Sequence, residues 1–197
     1  VTFVSVTPPL YSILHEFHDF SQSVYNGNSG ADLILSGTEL YGTAEGWVFK
    51  INTDGTGFSR VTDLSDNGHL SIANTTLYGT FYKNVFKVGT DGSGFALLKS
   101  FTGGSDGGTP TAAPVLVGSV LYGTTYTGGS AGYGNVFKVN SDGSGFGILK
   151  DFDNTVHYPQ GGLTLAGSTL YGTTSHSPGY GGVFKLNSDG SGFTVLK

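Results

Sequence analysis

Hydrophobic and polar residues alternate in short segments along the chain, and the same set of segments occurs four times. Each set begins with an alternating apolar segment and continues with LYGT, VFK and a segment of the Phe-x-x-Leu type, always in that order. A period of two is typical of β-strands, and no segment shows a sustained helical period. The pattern therefore predicts an all-β chain made of repeats of four short strands. The first segments are LILSG at 33–37, LSIAN at 70–74, VLVGS at 115–119 and LTLAG at 163–167.

The spacing of the repeats predicts the architecture. LYGT begins at 40, 77, 121 and 170, so the intervals are 37, 44 and 49 residues. Repeats of roughly 40–50 residues are typical of β-propellers. A single four-stranded sheet cannot bury both of its faces, so neighbouring sheets must stack around an axis as blades. We therefore predict one β-propeller domain of four-stranded antiparallel blades, with repeats at about 21–64, 65–101, 102–152 and 153–197.

The N-terminal segment carries half of a further repeat. Residues 2–17 align with residues 136–152, which contain a third and a fourth strand. With this half blade at 1–20, the chain has four complete repeats and lacks the inner strands of the fifth blade that we expect in a five-bladed ring. Truncation, imperfect closure or a strand from a neighbouring chain would each account for the difference. The last alternative predicts a homo-oligomer or a filament, because open strand edges pair readily.

One repeat resembles a known family. The segment LYGTTYTGGSAGYGNVFKVNSDGSGF at 121–146 is similar to the GloVer-type tandem repeat of bacterial secreted and surface-anchored proteins. The strand order also resembles that of NHL-type blades. The resemblance implies a propeller fold and an extracellular or cell-surface location, but no established reaction.

Composition narrows the classes of partner. The chain has no cysteine, which excludes disulfides and cysteine-based metal sites. Its net charge is −5, and its nine lysines and arginines are spread singly, which argues against binding to nucleic acid or to anionic membrane surfaces. No apolar run approaches the roughly 20 residues that a membrane span needs, so we expect no membrane insertion.

A repeated Asp-Gly segment lies between the third and fourth strands of each unit, and it has two interpretations. Asp-Gly is a strong hairpin signal, because glycine accepts a positive φ. The run Asn-x-Asp-x-Ser-Gly also resembles part of a calcium loop, which needs six to eight oxygen ligands. The first ligand position is glycine in one copy, Gly89, so we favour the turn and expect no cofactor. The calcium candidates of the alternative are Asp54, Asp91, Asp142 and Asp189.

No residue set indicates catalysis. Ser130 lies in GGSAG, a nucleophile pattern, but that motif needs a strand-to-helix elbow and no helix follows it here. The five histidines occupy non-equivalent places, and no paired carboxylates mark acid–base chemistry. We therefore predict that the protein is not an enzyme. The lysines that follow VF in each repeat either pair with carboxylates or form an anion-binding ring; they are Lys50, Lys87, Lys138 and Lys185.

The connections that differ between repeats indicate where recognition occurs. The loops between the second and third strands, and those between the fourth strand and the next first strand, should emerge on one face of the propeller. Aromatic rings with short polar neighbours suit hydroxyl-rich ligands, so we predict recognition or adhesion through a glycan or another cell-surface ligand. The alternatives are ordinary loop packing and a structural, self-assembling subunit. The candidate residues are Trp47, Tyr82, Tyr126, Tyr133, His157, Tyr158, His176 and Tyr180.

Overall fold

The computed structural model describes residues 13–15, 33–176 and 180–197. All regular structure in these residues is β-strand, which confirms the all-β prediction. Except for residues 13–15, the predicted half blade at 1–20 lies outside the described residues. In the described part of the chain, no helix is long and apolar enough to cross a bilayer.

The strands form four antiparallel sheets, which we call blades 1 to 4. Blade 1 consists of β1 (Ile34–Ser36), β2 (Glu39–Ala44), β3 (Trp47–Asn52) and β4 (Ser59–Asp63). Blade 2 consists of β5 (Gly68–Ala73), β6 (Thr76–Phe81), β7 (Asn84–Gly89) and β8 (Ala96–Ser100). Blade 3 consists of β9 (Val115–Val117), β10 (Val120–Thr125), β11 (Asn135–Asn140) and β12 (Gly147–Asp151). Blade 4 consists of β13 (His157–Pro159), β14 (Thr164–Ala166), β15 (Thr169–His176), β16 (Gly182–Asn187) and β17 (Thr194–Val195).

Each blade is built around the hairpin of LYGT and VFK, as the repeats predict. In blade 3, Gly123 lies directly opposite Phe137, and the other blades have the same register. A Cβ atom at Gly123 would lie 2.5 Å from the Phe137 ring, so the glycine makes room for the aromatic side chain of the paired strand. The invariant order of the two segments therefore reflects one packing unit repeated in every blade.

The two faces of a blade carry different residues, because successive side chains of a strand point to opposite faces. We call the face with Leu and Gly of LYGT and Phe of VFK the entry face, and the face with Tyr and Thr of LYGT and Val and Lys of VFK the exit face. The exit face of each of the first three blades packs on the entry face of the next blade. In blade 1, for example, Tyr41 and Val48 form one cluster with Leu77 and Phe86 of blade 2. The core of the protein is therefore a series of three similar interfaces between blades.

A polar contact accompanies each of these interfaces. The hydroxyl of Thr43 donates a hydrogen bond to the Gly68 carbonyl oxygen of blade 2, at 2.6 Å. Thr80 donates to the Ala112 carbonyl oxygen at 3.1 Å. Because a buried backbone carbonyl needs a partner, the threonine of LYGT connects each blade to the segment that leads into the next one.

The four described sheets do not form a closed ring, so the predicted five-bladed ring stays a prediction. Two details differ from the sequence predictions. Blade 4 has five strands rather than four, because β13 and β14 pair one after the other with successive parts of the long strand β15. The segment 44–47, predicted to be a variable loop, is half strand, since Ala44 ends β2, Trp47 begins β3, and only Glu45 and Gly46 form the turn between them.

Candidate functional site

Five of the eight candidate side chains come together where the loops of blades 3 and 4 meet. Tyr126 and Tyr133 belong to the connection between β10 and β11 of blade 3. His157 and Tyr158 lie in β13, and His176 ends β15 of blade 4. The Tyr126 and Tyr158 rings are stacked with centroids 4.7 Å apart and planes at 19°. We call these five residues the aromatic cluster. Its contacts show that the two kinds of connection lie on the same side where blades 3 and 4 meet.

Strand pairing places two histidines of the aromatic cluster opposite each other. His157 lies directly opposite His176 in the pairing of β13 with β15. The imidazole centroids are 4.6 Å apart and the ring planes meet at 14°. Tyr133 completes the contact from blade 3, with its ring centroid 4.9 Å from that of His157. The backbone N–H of Tyr158 donates a hydrogen bond to the Tyr133 carbonyl oxygen at 3.1 Å, so backbone as well as side chains joins the two blades here.

The aromatic cluster is partly open and carries backbone strain. Four of its rings are half-buried and His176 is exposed. Tyr158 has a φ of 56°, a left-handed conformation that disfavours side chains other than glycine. Two buried polar atoms at this place, His157 Nδ1 and Thr174 Oγ1, have no hydrogen-bond partner among the described residues. Strained backbone and unsatisfied polar groups occur often at functional sites, so these features are consistent with a binding role for the aromatic cluster.

The other three candidates lie elsewhere. Trp47 is only 7% exposed, because it belongs to β3 and packs edge-to-face on Phe49 and Phe58, with Arg60 over its ring. Tyr82 is 60% exposed, in the turn between β6 and β7 of blade 2. Tyr180 is 89% exposed and precedes β16. We therefore leave these three residues out of the candidate site.

The four Asp-Gly segments form the same hydrogen-bonded turn. In blade 3, Asp142 Oδ1 accepts from the Ser144 backbone N–H at 2.9 Å and from its hydroxyl at 2.6 Å. These bonds, the hydroxyl's first, lower the pKa of Asp142 from its ordinary value. The contacts support the turn interpretation, since the carboxylate closes its own turn. No group of three or more metal-binding side chains occurs in residues 13–15, 33–176 and 180–197. The other three aspartates make the same two bonds; they are Asp54, Asp91 and Asp189.

Two of the four repeated lysines have defined partners. Lys50 Nζ lies 2.9 Å from Glu39 Oε1, and the other oxygen of Glu39 accepts a hydrogen bond from the Tyr41 hydroxyl at 2.7 Å. Burial, followed by this hydrogen bond, raises the pKa of Tyr41 to about 12. Lys87 donates to the Ser141 carbonyl oxygen of blade 3 at 2.8 Å. These contacts support a pairing role for the lysines rather than an anion-binding ring.

Comparison with known proteins identifies the fold and no family. No protein-family model matches the chain, and no curated protein matches it. A crystal structure of a nidogen/laminin complex is similar, with a TM-score of 0.62 and 16% identity over 81% of this chain and 60% of that chain. The GH74 enzyme of Niastella koreensis gives a TM-score of 0.57 and 21% identity over 81% of this chain and 28% of that chain. An oligogalacturonate lyase in complex with manganese gives a TM-score of 0.56 and 12% identity over 82% of this chain and 50% of that chain.

The chain has a β-propeller fold. Four stacked antiparallel sheets and the similarity to propeller structures together show this. The sequence identities to these three structures do not exceed 21%, so the similarity shows the fold and gives no information on the activity of this chain. The chain spans 28% to 60% of the length of these three structures. The resemblance to the GloVer-type repeat stays a prediction.

Proposed function

We propose that this propeller is a non-catalytic recognition module, secreted or displayed at a cell surface, that binds a glycan through the aromatic cluster. The convergence of five rings from two blades is the observation that carries the proposal. Flat rings with hydrogen-bonding edges bind sugars by stacking on the apolar sugar face and bonding to hydroxyl groups. An overall charge of −5 favours a neutral sugar over an acidic one.

The arrangement of the cluster supports recognition more than catalysis. Its rings are held by strand pairing and by mutual stacking, so little conformational entropy is lost when a ligand binds. The nucleophile pattern around Ser130 lies in the exposed part of the connection between β10 and β11, where no helix follows among the described residues. A pre-formed site of this kind is suited to holding a sugar in place.

A glycan microarray tests the proposal, followed by titration calorimetry with the neutral oligosaccharide that gives the strongest signal. Tyr126→Ala and Tyr158→Ala each remove one ring of the stacked pair. We expect each variant to weaken binding about fivefold to thirtyfold, since stacking on an aromatic ring contributes on the order of 1–2 kcal/mol. His176→Ala should weaken it less, because His176 lies at the exposed rim of the cluster.

Tyr82→Ala is the matched control, because Tyr82 is an exposed tyrosine on another blade. It should leave the affinity unchanged. The proposal fails if the array shows no binding, or if Tyr82→Ala reduces the affinity as much as Tyr158→Ala does.

The second function, self-assembly by exchange of a strand, depends on the half blade at 1–20. Of this segment the structure describes residues 13–15 alone, so strand exchange stays a prediction.

A further inference from the structure

A cleft between blades 2 and 3 lies at the end of the strands that carries the repeated turns. Its volume is about 490 Å³. Its lining residues lie in and beside the turns between β5 and β6 and between β7 and β8, and Ser141 of blade 3 also lines it. Tyr78 and Lys87 reach it from the exit face of blade 2. Because the aromatic cluster lies at the other end of the strands, the cleft is a separate place on the molecule.

Blade 1 shows how the chain fills the equivalent positions with its own side chains. Glu39, Tyr41 and Lys50 lie on the exit face of this blade, because residues two apart in a strand share a face and Tyr41 lies directly opposite Lys50. Lys50 Nζ lies 2.9 Å from one oxygen of Glu39, and the Tyr41 hydroxyl donates a hydrogen bond to the other oxygen at 2.7 Å. A lysine and a tyrosine of this repeat therefore bind one carboxylate between them.

Blade 2 repeats the lysine and the tyrosine but replaces the glutamate. Tyr78 lies directly opposite Lys87, and Thr76 has the position that Glu39 has in blade 1. Within the described part of the chain, the Tyr78 hydroxyl makes no hydrogen bond, and Lys87 Nζ makes one, to the Ser141 carbonyl oxygen at 2.8 Å. An ammonium group has three N–H donors, so two of those of Lys87 can serve a ligand.

A small residue beside Lys87 gives the cleft its room. The position of Gly89 holds asparagine in the other three blades, where the amide nitrogen donates to the hydroxyl of the residue four positions later. The equivalent hydroxyl in blade 2, that of Ser93, donates to Asp91 Oδ1 at 2.7 Å and can accept a hydrogen bond from a ligand. Gly89 and Ser93 both line the cleft. The three asparagines are Asn52, Asn140 and Asn187.

The charges around Lys87 are compatible with a further carboxylate. The hydrogen bonds within its own turn, and then the charge of Lys50 in blade 1, lower the pKa of Asp91. Lys50 thus attracts a turn aspartate of the next blade and binds Glu39 at the same time. Lys87 contributes in the same way, after the hydrogen bonds of the turn, to the lowered pKa of Asp142 in blade 3. Lys87 therefore has the partner across the interface but not the one within its own blade.

We propose that the cleft between blades 2 and 3 binds a small hydroxylated carboxylate anion, whose carboxylate takes the position between Lys87 and Tyr78 that Glu39 has in blade 1. The hydroxyl groups of Thr75, Thr76 and Ser93 line the same cleft and match those of such a ligand. A volume of about 490 Å³ lies within the range of small-molecule sites, which is roughly 300–1,000 Å³. The site uses one lysine and not a ring of four.

Titration of the ¹⁵N-labelled protein, followed by two-dimensional NMR, tests the proposal with D-glucuronate as the probe. D-glucose is the uncharged control, since it has the same ring and no carboxylate. We expect D-glucuronate to shift the amide signals of the turn at 89–94 with a dissociation constant on the order of 1 mM. D-glucose should bind this turn at least tenfold more weakly.

Four variants locate the carboxylate. Thr76→Glu places a carboxylate of the chain beside Lys87, as in blade 1, and should abolish the shifts at the turn. Lys87→Gln should weaken binding at least tenfold, and Tyr78→Phe should weaken it a few-fold, since each removes donors to the carboxylate. Lys138→Gln is the matched control, because this lysine has the equivalent position in blade 3, where Asn140 stands in place of the glycine. It should leave the affinity unchanged.

The proposal is overturned if D-glucuronate at roughly 50 mM leaves the signals of residues 89–94 in place, or if D-glucose shifts them equally. It is also overturned if the native affinity persists in both Thr76→Glu and Lys87→Gln, whose spectra show at once whether each variant is folded. Tyr158→Ala, which alters the aromatic cluster, should not change these shifts. The outcome is therefore independent of glycan binding at the aromatic cluster.

Discussion

Blades 3 and 4 carry nearly the same residues on their exit faces but place them in different surroundings. Thr124 is 2% exposed and donates to the Gly161 carbonyl oxygen at 3.2 Å, whereas Thr173 is exposed and makes no such bond in the described chain. Val136 is fully buried and Val183 is 39% exposed. The difference arises entirely from the neighbour, since blade 4 covers blade 3 and no described residue plays that part for blade 4.

This difference shows that the contribution of a residue to the stability of a repeat protein depends on the adjacent repeat. The stability of stacked repeats is approximately a sum of terms within each repeat and terms between neighbours. Blade 3 gains both interface terms, and blade 4 gains the term from its entry face alone. Pairs of identical substitutions in the two blades therefore separate the two contributions.

The largest difference in stability between the two blades should come from placing a charge at the first residue of VFK, which is Val136 in blade 3 and Val183 in blade 4. Val136→Asp buries a carboxylate without a partner and should lower the free energy of unfolding by more than about 4 kcal/mol. Val183→Asp leaves the carboxylate in contact with water and should change it by less than about 0.5 kcal/mol. Urea denaturation at a low protein concentration measures both. Equal losses would mean that the exit face of blade 4 is covered in solution.

A smaller contrast is expected at the threonine. Thr124→Val removes the donor to the Gly161 carbonyl oxygen and should lower the free energy of unfolding by about 1 kcal/mol, because a partly buried carbonyl loses its partner. Thr173→Val should be neutral within about 0.5 kcal/mol. The same denaturation experiment applies, and a neutral Thr124→Val would show that water replaces the lost bond.

The smallest effect on stability should come from the Asp189 turn of blade 4, which lies against the fourth strand of blade 3. Hydrogen bonds from Ser191 and the charge of Lys138 lower the pKa of Asp189. A carboxylate whose pKa is lower in the folded state stabilises the fold above its ordinary pKa near 4, and this contribution is lost as the pH falls through the folded-state value. Asp189→Asn should therefore be slightly less stable than the native chain at pH 6 and equally stable at about pH 2. A pH-independent difference between the two melting temperatures would contradict this.

The repeated hairpins could be predicted from the sequence because their signal is local. Period-two alternation, the Gly of LYGT and the Asp-Gly turn each act within a few residues, so all four blades occur within the predicted repeat limits. The members of the aromatic cluster could be predicted as candidates, because they lie in the connections that differ between repeats. Their mutual stacking depends on contacts between blades, which a single sequence does not show.

Three features escaped prediction for physical reasons. Strand β13 has only three residues and includes Pro159, which gives too short an alternation to recognise. Trp47 looked like a loop residue because AEGW differs between repeats, but a two-residue turn leaves it inside β3. The exposure of Val183 has no local signal at all, because its own repeat reads like the others and the missing information concerns a neighbour.

The serial packing of the blades has a mechanical consequence. Each described blade meets only the blades before and after it in the chain, so a pulling force on the ends can detach one blade without breaking the contacts between the others. Blade 4, which contacts another described blade on one side only, should release before blades 2 and 3, which are held on both sides. Intervals of 37, 44 and 49 residues correspond to about 120–180 Å of extended chain, so stretching should proceed in unequal steps, each with the length of one repeat.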